Sequence, residues 1–485
     1  MSATATATAA ALPTRVAARP ADPLRWRILA VILAVEVMDL LDGTIVNVAT
    51  PAIRAELGAS LTALQWIAGG YALTFAIGLV TGGRLGDIFG RRRMFLIGVA
   101  GFTLASALCG AATSPEMLIA FRLVQGLFAA AMIPQGFGIV KQVFPDEELG
   151  KAFGMFGPVI GGSAVLGPVI GGLLVDGDLF GSGWRMIFLV NVPLGVAALI
   201  AGARLLPESR AHVRPTLDLP GAALISAAIG LIVYPLIEGR TLHWPDWTFA
   251  MIAGGIALLG VFALFERRRE RSGRSPLVTM TLFHKRAFSA GLGSVLVFFG
   301  GMIGVMFTFS IYLQVGFGYS AIAAGVAFIP WAAGTAIGAG LGAGVLAPRY
   351  GRHTLHAALG LMASGIAGML LVVTHSAHHV SILALAGPEL LAGAGMGAVL
   401  APLFSFVLAG VDDDEVGSAS GVLNAVQQLA GATGIALVGT LFFSVAATHG
   451  LTVAFGRCLW VELAALAGCA LLVFLLPMQP RPEEI

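Results

Sequence analysis

Glu36, Asp39 and Asp42 stand three residues apart in VEVMDLLDGTIVNVATP, a segment with no basic residue. Carboxyls in an otherwise apolar run can take up and release protons. In a helix, each three-residue step turns the next acid by about 60°, so the three form a short spiral stripe. At the centre of a bilayer each charged acid would be disfavoured by roughly 2.5–3.5 kcal/mol. They must therefore face a wet cavity or an internal partner, or hold protons. Asp42 leads, because Gly43, Thr44 and Asn47 beside it make a polar, openable site. A second charge, Arg122, lies in the apolar run FRLVQGLFAAAM. A guanidinium cannot be neutralised and needs an acid, carbonyls or water. It either tunes the first-segment acids or forms a fixed ion pair holding the helices together.

The elements that would carry these residues are membrane helices. Hydrophobic residues make up 57% of the 485 and charged residues 11%, against the roughly 25% charged of soluble domains. Mean hydropathy is +0.90. The composition predicts an all-α polytopic membrane protein with about fourteen apolar spans: 28–48, 62–82, 94–113, 117–137, 152–175, 187–206, 219–237, 248–265, 288–312, 321–346, 355–374, 381–409, 418–445 and 454–475. Cys109, Cys458 and Cys469 fall in such runs and read as small core residues.

An even number of spans puts both termini on one side. Of the 28 Lys and Arg residues, 23 then fall on the terminal side, four on the other, and Arg122 inside a span. Basic loops mark the cytoplasm, so both termini are expected there, in a multi-pass protein of the cell membrane. The near-balanced net charge of +2 gives no reason to expect a nucleic-acid partner. Two charged breaks, 207–218 and 266–286, divide the chain. The expected organisation is a disordered tail at 1–27 and a six-helix bundle at 28–206. A linker with two extra transmembrane helices follows at 207–286, then a second, pseudo-symmetric six-helix bundle at 287–475 and a tail at 476–485.

Residues 83–95, GRLGDIFGRRRMF, pack Arg84, Asp87, Arg91, Arg92 and Arg93 between two apolar runs. Gly83, Gly86 and Gly90 would let two helix ends approach and the chain turn. A weaker echo at 344–353, GVLAPRYGRH, follows the second span of the later six, as parallel halves would produce. The fifth span carries GPVIGG twice, at 157–162 and 167–172. Proline weakens the helix ladder and glycine permits close packing, which suits either a rocking interface or a tight static one. Gln125, Asn47, Glu389, Gln314, Asn424 and Gln428 are polar groups within spans that could line a cavity or bond between helices. Glu462 is a further acid in the last span. His375, His378 and His379 fall in a loop without acid or cysteine nearby, and 412–415 reads as a solvated acidic loop. No cluster has metal-ligand spacing and no nucleophile–base set stands out, so neither a metal site nor an enzyme is expected.

Several of these motifs resemble those of the major facilitator superfamily. Gly83, Leu85, Asp87, Gly90, Arg91 and Arg92 match its signature loop. Arg122, Gln125 and Gly126 match its fourth-helix motif, with Phe128 where a small residue is usual. Gly167, Pro168, Gly171 and Gly172 resemble the fifth-helix motif of antiporters, with Ser163 in place of a glycine. Asp42 to Pro51 resembles the first-helix motif of the fourteen-helix drug/proton antiporters of EmrB/QacA type, with Thr50 for the usual Leu. Trp184, Arg185, Asn191 and Pro193 continue that pattern, as does 417–434.

The resemblance implies a proton-driven exporter of amphipathic toxic compounds, working by alternating access. It would be powered by the proton gradient without a cofactor and functional as a monomer in the lipid bilayer. It implies that Asp87 and the loop arginines latch the inner gate. Asp42 and Arg122, with Asp39 and Glu36, would couple protons, and Gly167–Gly172 would distinguish export from import. The rival expectation is a transporter of one metabolite or nutrient on the same fold.

Overall fold

The chain turns at Gly90, whose φ of +100° lies in the region that glycine adopts without strain. One helix ends at Phe89 and the next starts at Arg91, so the arginine-rich motif is a helix–helix hairpin. The molecule, here a computed structural model, is described for residues 22–145, 148, 151, 152, 155–208, 218–274, 276–375, 380–409, 411 and 416–479. The expected tail up to residue 21, His378, His379 and the acidic loop 412–415 lie outside them.

The main helices are α1 (Arg25–Leu57), α2 (Leu61–Phe89), α3 (Arg91–Gly110), α4 (Pro115–Val143), α5 (Phe156–Asp176), α6 (Gly183–Leu205) and α7 (Leu219–Glu238). They continue as α8 (Asp246–Arg271), α9 (Arg286–Gly316), α10 (Ala321–Tyr350), α11 (His353–His375), α12 (Ile382–Leu408), α13 (Val416–His449) and α14 (Leu451–Val473). No strand occurs among the described residues. Among the described residues, twelve helices are long and apolar enough to cross a membrane, against the fourteen spans expected. The two outside that count are α1 and α5. Helix α1 has 33 residues but carries Glu36, Asp39 and Asp42. Helix α5 offers only Leu166–Asp176 as an apolar stretch among its described residues.

Helices α1–α6 pack on one another, chiefly α2 and α3 on α4, α1 on α5, and α6 on α3 and α1. Helices α9–α14 form a second group, with α10 and α11 on α12 and α9 on α13 and α14. The groups meet through α2 on α13, α5 on α10, and α1 on α9. Small residues allow these close approaches, which drive helix association where no water is present.

The two additional helices are fastened to both groups through α7. Asp218 Oδ1 caps α7 by accepting from Gly221 N at 2.9 Å. At the other end of α7, Trp66 Nε1 on α2 donates to Glu238 Oε1 at 2.8 Å, and Thr440 Oγ1 on α13 donates to the Leu236 carbonyl at 3.0 Å. Helix α7 thus spans the α2–α13 seam, with α8 packed on its outside.

One end of the molecule gathers the arginines. There Arg25 pairs with Glu148 at 2.6 Å, Arg269 pairs with Asp218 at 3.0 Å, Arg84 donates to the Pro276 carbonyl, and Arg92 donates to the Ala203 carbonyl. The echo lies at this end too: Gly351 has φ +54°, and Arg352 Nη1 donates to the Phe474 and Leu476 carbonyls. A positive-φ glycine with an arginine bound to neighbouring backbone one or two residues later therefore recurs in both groups, as Gly90 with Arg92 and Gly351 with Arg352.

Candidate functional site

Five helices converge on Asp42. Its Oδ2 pairs with Arg122 Nη1 of α4, and neither side chain is exposed. Its Oδ1 accepts from Gln125 Nε2 of α4 at 2.9 Å and from Asn191 Nδ2 of α6 at 2.8 Å. Gln125 Nε2 also donates to Ser106 Oγ of α3 at 2.8 Å, and Gln125 Oε1 accepts from Arg122 Nη1 at 2.8 Å. Arg122 Nε donates to the Ile67 carbonyl of α2 at 3.1 Å, and its guanidinium lies 4.4 Å from the Tyr71 ring centre. Tyr71 Oη in turn donates to Asp39 Oδ1.

Burial explains why the cluster is so densely bonded. A charge taken from water is tolerated only when it is paired and its remaining hydrogen-bonding groups are satisfied. Both Asp42 oxygens have partners, and Arg122 has an acid, an amide and a carbonyl, while its Nη2 makes no hydrogen bond among the described residues and the guanidinium lies over the Tyr71 ring. Helical spacing builds the Arg122–Gln125 unit, since residues three apart share a face. Asp39 lies about one turn from Asp42 and Glu36 about one turn from Asp39 on α1, and Tyr71, stacked against Arg122, links Asp39 to the same cluster. It faces the inside of the first group: Glu36, Asp39 and Asp42 are all buried.

The structure brings Asp42, Asp39 and Arg122, expected as one set, together with Gln125, expected as a cavity or interhelix residue. Asn47 is half-buried nearby on α1. Ser106 and Tyr71 were not singled out, and Asn191 entered only through the family pattern. An uncharged polar residue in an apolar helix is too ordinary a signal.

The signature hairpin forms a second cluster. Asp87 Oδ1 accepts from Arg91 Nη2 at 2.9 Å and Nε at 3.3 Å, across the turn. Gln135 Nε2 of α4 donates to the Gly82 carbonyl at 2.7 Å, and its amide lies over Gly86. Gly83 faces Pro134. Arg84, Arg91 and Arg92 thus tie the hairpin to the α8–α9 connection, to α4 beside Gly138, and to α6.

The fifth-helix motif lies between α1 and α10. Gly167 faces Thr44, Gly171 faces Ile45, Gly172 lies on the backbone of Ala321 and Ile322, and the Pro168 carbonyl lies on Gly325. Of the first GPVIGG copy, 157–162, Val159 is the one side chain within the described set. Gln314 is a bond between the groups, donating to the Val48 carbonyl at 2.9 Å. Gln65 Nε2 donates across the seam to the Ile435 and Ala436 carbonyls at 3.1 Å each. These contacts lie toward the end opposite the signature hairpin. Asn424 and Gln428 are half-buried on α13. Glu389 and Glu462 are buried in the second group.

Known proteins share these features. The Major Facilitator Superfamily pattern matches residues 32–224 and 219–435. The chain is 47% identical over 421 residues to the "Probable actinorhodin transporter" of Streptomyces coelicolor, covering 87% of this chain and 73% of that one. It is 35% identical over 438 residues to the "Tetracenomycin C resistance and export protein" of Streptomyces glaucescens, covering 89% of this chain and 79% of that one. The crystal structure of a D-xylose-proton symporter superposes with a TM-score of 0.66 at 16% identity, over 94% of this chain and 98% of that one, a likeness of fold alone. With two packed helix groups, a signature hairpin between α2 and α3 and relatives matching over most of its length, the chain belongs to the Major Facilitator Superfamily and is a multi-pass membrane transporter.

Proposed function

We propose that this transporter is a proton-coupled efflux antiporter of the fourteen-helix drug/proton type, moving amphipathic toxic compounds out of the cytoplasm. The observation that carries the coupling is the buried Asp42–Arg122 pair with Asp39 one turn away. An acid sealed inside a helix group changes the group's internal charge when it gains a proton. That change favours one arrangement of the two groups over the other. One charge moved through 100 mV is worth roughly 2.3 kcal/mol, or about 50-fold in concentration ratio. One proton per substrate would support useful export.

Names of relatives support the reading: one is the "Probable actinorhodin transporter", and the name of the other, "Tetracenomycin C resistance and export protein", supports the outward direction. Helices α1 and α5 cross the membrane with the other twelve, because α1 turns its acids inward and α5 is sandwiched between α1 and α10. The arginine-rich end, with both termini, is cytoplasmic. A single chain holds both helix groups, so a monomer suffices. The groups rock about the central seam, and the contacts at Gln65, Gln314 and Gly172 belong to the state closed on the outer side.

Reconstitution tests the reading. Proteoliposomes with an imposed pH gradient should expel ethidium and other amphipathic cations, and Asp42→Asn should lose that drive while inserting normally. Full gradient-driven export by Asp42→Asn would overturn it.

A further inference from the structure

Helix α5 ends at Asp176, whose carboxylate serves the other helix group. Its Oδ1 accepts from Ala321 N at 3.2 Å and its Oδ2 from Ile322 N at 2.7 Å. These are the first two N–H groups of α10, which a helix leaves without internal partners. Ser320, the local cap, takes the third through Oγ from Ala323 N at 3.3 Å. The fourth, Ala324 N, bonds to the Ser320 carbonyl at 3.0 Å. So α10 starts with two caps, one from its own chain neighbour and one from across the seam.

Two neighbouring acids, Asp178 and Glu56, stay within the first group. Asp178 Oδ1 accepts from Gly183 N at 2.8 Å, and Glu56 pairs with Arg185. Directly beneath the Asp176 bonds, Gly172 and Pro168 press on the α10 backbone at Ala321, Ile322 and Gly325. The carboxylate therefore sits at the rim of a close backbone contact between the groups.

We propose that Asp176 is the latch of the outer gate: it holds α5 to the α10 N-terminus when that side is shut and lets go when it opens. The inference rests on the alternating-access reading above and adds a residue to it. A carboxylate at a helix N-terminus gains from both the free N–H groups and the helix dipole. Both gains vanish when the groups separate, so the bonds bias the equilibrium toward the outward-closed state. Asp176 is exposed, so added salt should weaken its hold.

The test uses the full chain in liposomes, with spin labels at Ala55→Cys on α1 and Ala447→Cys on α13, both exposed at this end. The native Cys109, Cys458 and Cys469 are buried. Distance distributions by pulsed electron resonance should show the wide state gaining roughly three- to tenfold in Asp176→Ala. Asp176→Asn, which keeps the shape and loses the charge, should lie between, and high salt should move the parent the same way. Ser320→Ala, which removes only the local cap, should leave the distribution in place. Unchanged distances in both Asp176 variants would overturn the latch. Altered distances without substrate flux would retain the latch and reject the efflux reading. Normal flux with unchanged distances would do the reverse.

Discussion

Asp42 and Arg122 face each other from α1 and α4 with none of either side chain exposed. Gln125 closes the ring, taking a bond from Arg122 and giving one to Asp42. Such a pair depends on both members, because removing one strands the other without solvent. Asp42→Asn and Arg122→Gln should each destabilise the detergent-solubilised protein by about 3 kcal/mol, and the double variant by clearly less than the sum. Chemical unfolding of the four proteins checks this. Additive losses would mean that the pair is not a unit. The double variant should recover folding without recovering gradient-driven transport, which separates the structural part of the pair from its coupling part.

Asp87 and Arg91 give a contrasting pair. Each side chain is about one-third exposed, at 30% and 33%, and exposed pairs contribute about 0–1 kcal/mol. Asp87→Asn should therefore leave the unfolding midpoint nearly unchanged. The same bond spans the turn that tethers α2 to α3, so its loss should loosen the hairpin and slow turnover severalfold. Proton uptake at Asp42 should persist, since that cluster shares no hydrogen bond with the hairpin among the described contacts. Turnover at the parent rate would leave residues 83–95 as a topology signal alone.

The difference between the two pairs also explains what the sequence could disclose. A charge inside an apolar run must find a partner, so Asp42 and Arg122 pointed to one another before any fold was known. The signature hairpin was legible because glycine and arginine mark turns and membrane sides. Ser106 and Tyr71 gave no such signal, since their burial is inexpensive until a carboxylate is placed beside them. Gln314 read as a group that could line a cavity or bond between helices. Its bond to the Val48 carbonyl depends on how two distant helices meet. Asp176 was hidden for the same reason. The acids of α1 that announced the site are also what removes that helix from a count based on apolarity.

Arg25 and Glu148 set a pH response at the arginine-rich end. Arg25 Nε and Nη2 donate to Glu148 at 2.6 and 3.1 Å, joining the start of α1 to the α4–α5 connection. The Arg25 hydrogen bond holds the Glu148 carboxyl below its ordinary value. A depressed acid adds stability above its unfolded value and loses it as pH falls through the folded one. Docking of this connection should therefore be intact at neutral pH and weaken below about pH 4.3, the ordinary glutamate value. Amide exchange across residues 22–28, corrected for intrinsic rate, should rise in acid for the parent. Glu148→Gln should show the raised exchange at every pH. A parent response equal to that of Glu148→Gln would assign the acid effect elsewhere.

Gly172 supplies the sharpest steric prediction. A Cβ built there would lie 2.5 Å from Ile322 Cα and close to the Ala321 carbonyl, both backbone atoms that cannot swing aside. Gly43, on α1, has open space at the same position. Gly172→Ala should hold α5 away from α10 and shift the protein toward the outward-open state. Gly43→Ala should leave the balance unchanged and, by removing glycine's conformational freedom in a helix, add about 0.5–1 kcal/mol of stability. Alkylation of a single reporter cysteine introduced at Gly318, whose φ of +68° places it in the turn before α10, would be misleading because the substitution itself strains that turn. Asn47→Cys is the better reporter, since it is half-buried on α1 along the outer half of the helix. Its labelling by a membrane-impermeant maleimide should rise in Gly172→Ala and stay low in the parent and in Gly43→Ala. Equal labelling in all three would show that the α5–α10 contact packs the helices without gating them.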